Sequence, residues 1–196
     1  MNNLKIKQNH HYPTLPSWPL FFKVAKIFTI SHTYQFTDSC LYHFGDVDDF
    51  DKNKLFGISL SLLPRIRTKQ WAYGRDAKVM FFIGKYVVIN PIHWNSVRVG
   101  WCCDFVNKEI KLTPYMYKDG ERVYCEDDNY FDIDTEVVTS LSFAKNAHNV
   151  IIKIGDKYSY IYYYKIKWYQ ILLYKSGLYF GGNKAAPHDI LIKEIK

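Results

Sequence analysis

"SVRVGWCCDFVNKEIKLTPYMYKDGERVYC", residues 96 to 125, carries the alternation of two paired antiparallel strands. Successive side chains of a strand point to opposite faces. Val97, Val99, Trp101 and Phe105 therefore share one side, joined across the turn 106–109 by Ile110, Leu112 and Met116, and this apolar set predicts the core face. Ser96, Arg98, Gly100, Lys111, Thr113, Tyr115 and Tyr117 fall on the other side and predict a polar, aromatic and basic surface. Lys118, Asp119 and Gly120 supply a turn of the Asp-Gly kind that sends the chain back into a further strand.

The same reading extends outward. Strand-like runs precede the hairpin at 22–31, 40–45 and 54–62, and follow it at 134–143, 148–154, 158–167, 169–179 and 187–195. In the third run Gly57, Ser59 and Ser61 oppose Phe56, Ile58 and Leu60. Seventeen Tyr, 13 Phe and 5 Trp among 196 residues, without apolar spacing at the helical period, favour strands. About ten strands at roughly ten-residue spacing indicate a two-sheet sandwich or a barrel. Residues 1–21, with Pro13, Pro16 and Pro19, read as an irregular lead-in, and 63–95 as an irregular insertion, either a functional loop or an inserted hairpin.

Composition bounds the function. A net charge of +7 steers an anionic ligand, a nucleic acid or a membrane surface toward the chain. The cations are scattered and not gathered into a basic arm, which argues against nucleic acid. No apolar run is long enough for a signal peptide or a membrane-spanning helix, so the expected setting is cytoplasmic, away from membranes. Cys40, Cys102, Cys103 and Cys125 show no CxxC spacing, and reduced thiols are expected. The acidic run 125–134 lacks the glycine and terminal glutamate of a calcium loop, and no phosphate-loop, dinucleotide or nucleophile-elbow motif is present, so neither metal nor cofactor is expected.

The stretch Tyr174-Lys175-Ser176-Gly177-Leu178-Tyr179, followed by a loop and a last strand from Ile190, resembles the C-terminal signature of concanavalin-like jelly rolls, notably the alginate and glucuronan lyases. The resemblance implies an inner-sheet strand at the tyrosines and a final strand closing the opposite sheet. The expectation is thus an all-β, two-sheet antiparallel jelly-roll sandwich forming a single domain over 22–196. In the lyases an Arg-rich strand, a Gln-x-His motif and the late tyrosine form the site. The matching positions here are Arg65 to Gln70, which include Arg67, and Pro91-Ile92-His93, where proline replaces the glutamine. Tyr174 and Tyr179, five apart, face opposite sides of a regular strand, so at most one serves a site on the concave sheet.

Arg98 is the leading candidate side chain: a guanidinium suits a carboxylate or phosphate, and Gly100 beside it leaves room for a ligand. A cross-strand ion pair with Asp104 or Glu109 is the plain alternative. Tyr115, Tyr117 and Lys111 form a stacking and hydrogen-bonding floor in this reading, with His93, Trp94, Arg67 and Tyr174 at its margins. The tyrosines of 158–170 read as an outer sheet face. The first functional reading is a non-catalytic module that holds, and in a phage-type role sequesters, an anionic small molecule or carbohydrate: a sugar acid or a nucleotide-like signal. The second is a polysaccharide lyase acting by β-elimination, with His93 as base, Tyr174 or Tyr179 as acid and Arg98 or Arg67 neutralising the carboxylate. The third is a structural or protein-interaction module. A homo-oligomer is compatible with each.

Overall fold

The computed structural model describes residues 1–13, 20–23, 27–60, 65–68, 80–83, 86–89, 95–123, 129–144, 148–156, 158–163 and 172–195. Their strands are β1 (Asn2–Ile6), β2 (Leu20–Lys23), β3 (Ile27–Phe36), β4 (Asn53–Ser59), β5 (Arg65–Thr68), β6 (Met80–Ile83), β7 (Tyr86–Ile89) and β8 (Ser96–Asp104). They continue with β9 (Glu109–Lys118), β10 (Glu121–Val123), β11 (Asn129–Asp132), β12 (Glu136–Ala144), β13 (Asn149–Ile154), β14 (Tyr158–Tyr163), β15 (Leu172–Ser176) and β16 (Ile190–Ile195). Two short 3-10 turns, Asp38–Cys40 and Val47–Phe50, are the helical elements among the described residues.

A six-stranded sheet runs β1-β16-β3-β12-β13-β14, and a seven-stranded one runs β10-β9-β8-β4-β15-β2 with β11 added beside β9. Every pairing is antiparallel. The first four strands alternate between the sheets, and so do the last two, so the chain crosses the sandwich at both ends. As the C-terminal stretch implied, β15 lies in one sheet and β16 in the other. Gly181 permits that crossing: its φ is +86°, and a Cβ there would run into the Lys184 carbonyl.

Between the sheets lie Phe36, Ile58, Trp101, Leu112, Phe143, Ile152 and Ile192, all buried. Phe36 packs on Trp101 with ring centroids 5.5 Å apart. Removing such side chains from water stabilises by about 1.5–3 kcal/mol each, and they come from both sheets, so this core holds the layers face to face.

Several expectations need correction. Asn2–Ile6 is not irregular: it pairs with β16 along its whole length, a contact between the two chain ends that a five-residue strand does not announce. Residues 40–45 form no strand, because the chain here passes from one sheet to the other; the Asp49 carboxylate accepts from the Phe44 and Gly45 amides and turns the backbone. The insertion 63–95 contains a three-stranded antiparallel sheet, β5-β7-β6. Phe105 is 51% exposed because β8 ends at Asp104 and leaves it in the turn. Tyr162 is buried and Tyr160 packs against the core, so alternate tyrosines of β14 face inward while Ile161 and Tyr163 face out. Cys40, Cys102 and Cys103 are free thiols, and burial pushes the Cys40 thiol up to about 12 and that of Cys103 to about 11.

Candidate functional site

The face of the seven-stranded sheet turned away from the core is ordered by strand register. Directly opposed residues of an antiparallel pair share a face, so each register row can be followed across strands. One row runs Ser176, Gly57, Arg98, Tyr115 from β15 through β4 and β8 to β9. The next runs Tyr174, Ser59, Ser96, Tyr117, Arg122, ending on β10. On the other side Lys54 stands opposite Gly100 and bridges Tyr179.

Gly57 makes Arg98 possible. A Cβ at residue 57 would lie 2.6 Å from the Val97 carbonyl and run into the Arg98 side chain, so the arginine stem lies over a strand position that only glycine leaves open. Arg98 is 2% exposed. A buried guanidinium is tolerated only with partners, since its desolvation costs several kcal/mol.

Tyr115 is the centre of the cluster. The Arg122 guanidinium carbon lies 4.6 Å from its ring centroid and the Lys54 ammonium 5.5 Å, while Lys54 is also 4.4 Å from the Tyr179 ring. The Tyr115 and Tyr117 hydroxyls are 3.2 Å apart. Tyr179 is stacked by His11 at 5.3 Å and met edge-on by Tyr12 at 5.0 Å, which ties the N-terminal segment to this rim. Burial and the neighbouring Tyr12 and Tyr115 phenols push the Tyr179 phenol up, so it stays protonated at neutral pH. Two hydroxyls close the list: Ser96 Oγ and Ser176 Oγ are buried and meet no hydrogen-bond partner. Such groups ordinarily find one; Ser176 belongs to the row of Gly57 and Arg98, and Ser96 to the row beside it.

The expected residues divide. Arg98, Tyr115 and Tyr117 are brought together, but the face is buried, with Tyr115 and Tyr117 each 8% exposed, instead of the open surface the alternation suggested. Lys111 lies four residues from Tyr115, roughly 13 Å along β9, and sits over Tyr130 at 5.5 Å, outside the cluster. Gly100 opens no room for a ligand: Tyr115 Cβ, the Asn53 carbonyl and Lys52 Cβ lie 3.2, 3.3 and 3.6 Å from where its Cβ would stand. The ion pair with Asp104 or Glu109 is set aside by register, since those two oppose each other at the far turn and the Asp104 carboxylate accepts from the Val106 and Asn107 amides.

His93 and Trp94 lie outside the described residues. Arg67 and Tyr174 are placed by backbone only, on β5 and β15. β15 ends at Ser176 and a bulge separates Lys54 from Phe56 on β4, so strict alternation between Tyr174 and Tyr179 does not apply. Lys54, Gly57, Ser96, Arg122 and Ser176 were not among the expected binding residues, and Tyr179 was expected only as a candidate acid in the lyase reading. Ser96, Gly57 and Ser176 carried a signal, being small residues at alternating strand positions.

No family model matches the chain, and no curated protein matches it. Among solved structures, it is similar to a sheep galectin-11 in complex with glycerol (8% identity, 93% of this chain and 100% of that one, TM-score 0.37). It is also similar to the alginate lyase AlyC3 in complex with dimannuronate (10% identity, 98% and 71%, TM-score 0.42). A third is the Caenorhabditis elegans galectin LEC-6 (10% identity, 96% and 95%, TM-score 0.31). Galectins and this lyase are concanavalin A-like jelly-roll sandwiches. The strand pairing described above defines the sandwich in this chain on its own.

Proposed function

We propose that the protein is a non-catalytic ligand-binding sandwich that holds an anionic, ring-bearing ligand, a sugar acid or a nucleotide-like molecule, on the Arg98–Tyr115 face of its seven-stranded sheet. The observation that carries this reading is the gathering of Arg98, Lys54 and Arg122, from three strands, around Tyr115. Cations gathered from three strands raise the local positive potential and draw an anion toward the site. A guanidinium offers paired donors to a carboxylate or phosphate, and the tyrosine rings supply a face for the ligand's ring. The partnerless Ser96 and Ser176 hydroxyls offer further hydrogen bonds to a polar ligand.

Thermal unfolding in the presence of uronate oligomers, mononucleotides and cyclic nucleotides tests the proposal. A ligand at 100 times its Kd adds about 2.7 kcal/mol of stability, a visible rise in Tm. Arg98→Met should abolish the rise. The proposal fails if no anion in the panel shifts the parent, or if Arg98→Met is shifted as much. A rise in ultraviolet absorbance from an unsaturated product on incubation with polyuronate would instead assign the chain to the lyases, with the protonated Tyr179 phenol as its acid.

A further inference from the structure

On the inner faces of the sandwich, away from the Arg98 cluster, three ionisable side chains form a chain that joins the two sheets. Lys175 stands on β15 opposite Ile58, His32 on β3 opposite Thr139, and Glu194 on β16 opposite Tyr34. Lys175 Nζ is 3.1 Å from His32 Nε2, and His32 Nδ1 is 2.5 Å from Glu194 Oε1. Asn2 Nδ2 donates to the second Glu194 oxygen at 3.3 Å. A neutral imidazole satisfies both of its contacts, accepting from the lysine at Nε2 and donating from Nδ1 to the carboxylate. The ring is fixed by Tyr34, stacked at 5.6 Å, and by Phe56, edge-on at 4.9 Å. The site is not sealed: the His32 and Glu194 side chains keep 17% and 18% of their exposure, and Lys175 is half-buried.

This is the order of parts that activates a nucleophile: an attacking group hydrogen-bonded to a base, and the base oriented by a third group. We infer that Lys175 is a reactive amine, with His32 as its base and Glu194 as the group that positions the imidazole, and that the site takes a small aldehyde or ketone. His32 Nε2 removes a proton from the Lys175 ammonium, and the imidazolium is held by Glu194. The freed nitrogen lone pair attacks the carbonyl carbon as the C=O π pair moves to oxygen, which takes the proton back from His32. A proton then passes from the attacking nitrogen to that hydroxyl, which leaves as water, and the product is the protonated imine, with no oxidant or reductant involved. Burial lowers the proton affinity of both Lys175 and His32; Lys175 lowers that of His32 further, and Glu194 opposes the shift in each. The other titratable side chain described on the facing surfaces is Tyr34, whose phenol burial pushes up, while Phe56, Thr139 and Asn2 from β4, β12 and β1 do not titrate.

Reductive alkylation with propanal and cyanoborohydride at neutral pH, followed by mass-spectrometric peptide mapping, reads the proposal directly. Lys118 and Lys153 are exposed and serve as internal references. An ordinary lysine, with a pKa near 10.4, is roughly 0.04% free amine at neutral pH, so Lys175 is expected to be alkylated at least about tenfold faster than either reference. That advantage should shrink as the pH rises toward about 10, where the references also lose their protons. His32→Gln should slow alkylation of Lys175 by at least about threefold by removing its base, and Lys175→Arg should remove the adduct. The inference is overturned if Lys175 in the parent reacts no faster than Lys118, a comparison that needs no variant to fold. It is equally overturned if folded His32→Gln retains the parent rate and pH profile, the result expected if the three groups merely stitch the sheets together. Because the Arg98 cluster lies on the opposite face of the sheet, failure to bind anions there and failure of Lys175 to react are separate results.

Discussion

The two faces of the β8–β9 hairpin are buried to the same degree and built from opposite chemistry. Val97, Val99, Trp101, Ile110 and Leu112 are fully buried on the inner face; Ser96, Arg98, Thr113, Tyr115 and Tyr117 are 0 to 8% exposed on the other. On the inner side burial is its own reward, since apolar atoms leave water and pack. The Trp101 indole nitrogen is the exception there, buried without a partner; on the outer side burial costs free energy unless every polar group is met, and the Ser96 hydroxyl is not. Burial therefore does not separate a core from a site; the chemistry of what is buried does.

The comparison is sharpened most by the inner face. Trp101→Ala should destabilise by about 3–5 kcal/mol in urea unfolding, the cost of lost burial plus an unfilled cavity, with m nearly unchanged. Gly57→Ala acts where the faces are coupled. The new Cβ meets the Val97 carbonyl and the Arg98 stem, and a loss of about 1–3 kcal/mol together with loss of anion binding is expected from the same two measurements. Arg98→Met keeps the bulk of the stem and removes the charge, so it should abolish the ligand-induced rise in Tm. If folded Arg98→Met is still shifted by the anion as much as the parent, the binding proposal falls.

Two smaller effects follow. His32 has its proton affinity lowered by burial and then by Lys175, against the opposing pull of Glu194. The unfolded chain therefore takes up the proton first as pH falls: the contribution of His32 is complete above about 6.5, the ordinary histidine value, and is lost as pH drops toward its lower folded value. Urea unfolding at pH values on either side of that point should show the parent losing more stability on acidification than His32→Gln. Ser96→Ala removes a hydroxyl without a partner and should leave stability within about 0.5 kcal/mol, while weakening any ligand that uses it.

Much of the fold was legible because alternation is a local property. The inner set of β8 and β9 followed from period two, apart from Phe105, which the early end of β8 puts in the turn. The positive φ values of Asp119 and Gly120 match the turn that the Asp-Gly pair announced. The site was legible in part for the same reason, since Arg98 and Tyr115 oppose each other across one hairpin. Arg122 comes from β10, beyond the next turn, Lys54 from β4 and Tyr179 from the segment after β15, so alternation within the hairpin had nothing to say about them.

The sequence by itself determined that this chain is all-β, which side of each strand is apolar, and that a basic, tyrosine-rich set shares one face of a sheet, because side-chain direction in a strand depends only on position parity. Tertiary structure alone decided that this face is closed from solvent, that Gly57 seats Arg98, and that His32 meets Lys175 and Glu194 across 143 and 162 residues of chain. Those contacts depend on which strands become neighbours and which layers face each other, a choice made by the summed packing of the whole sandwich and written in no single stretch of it.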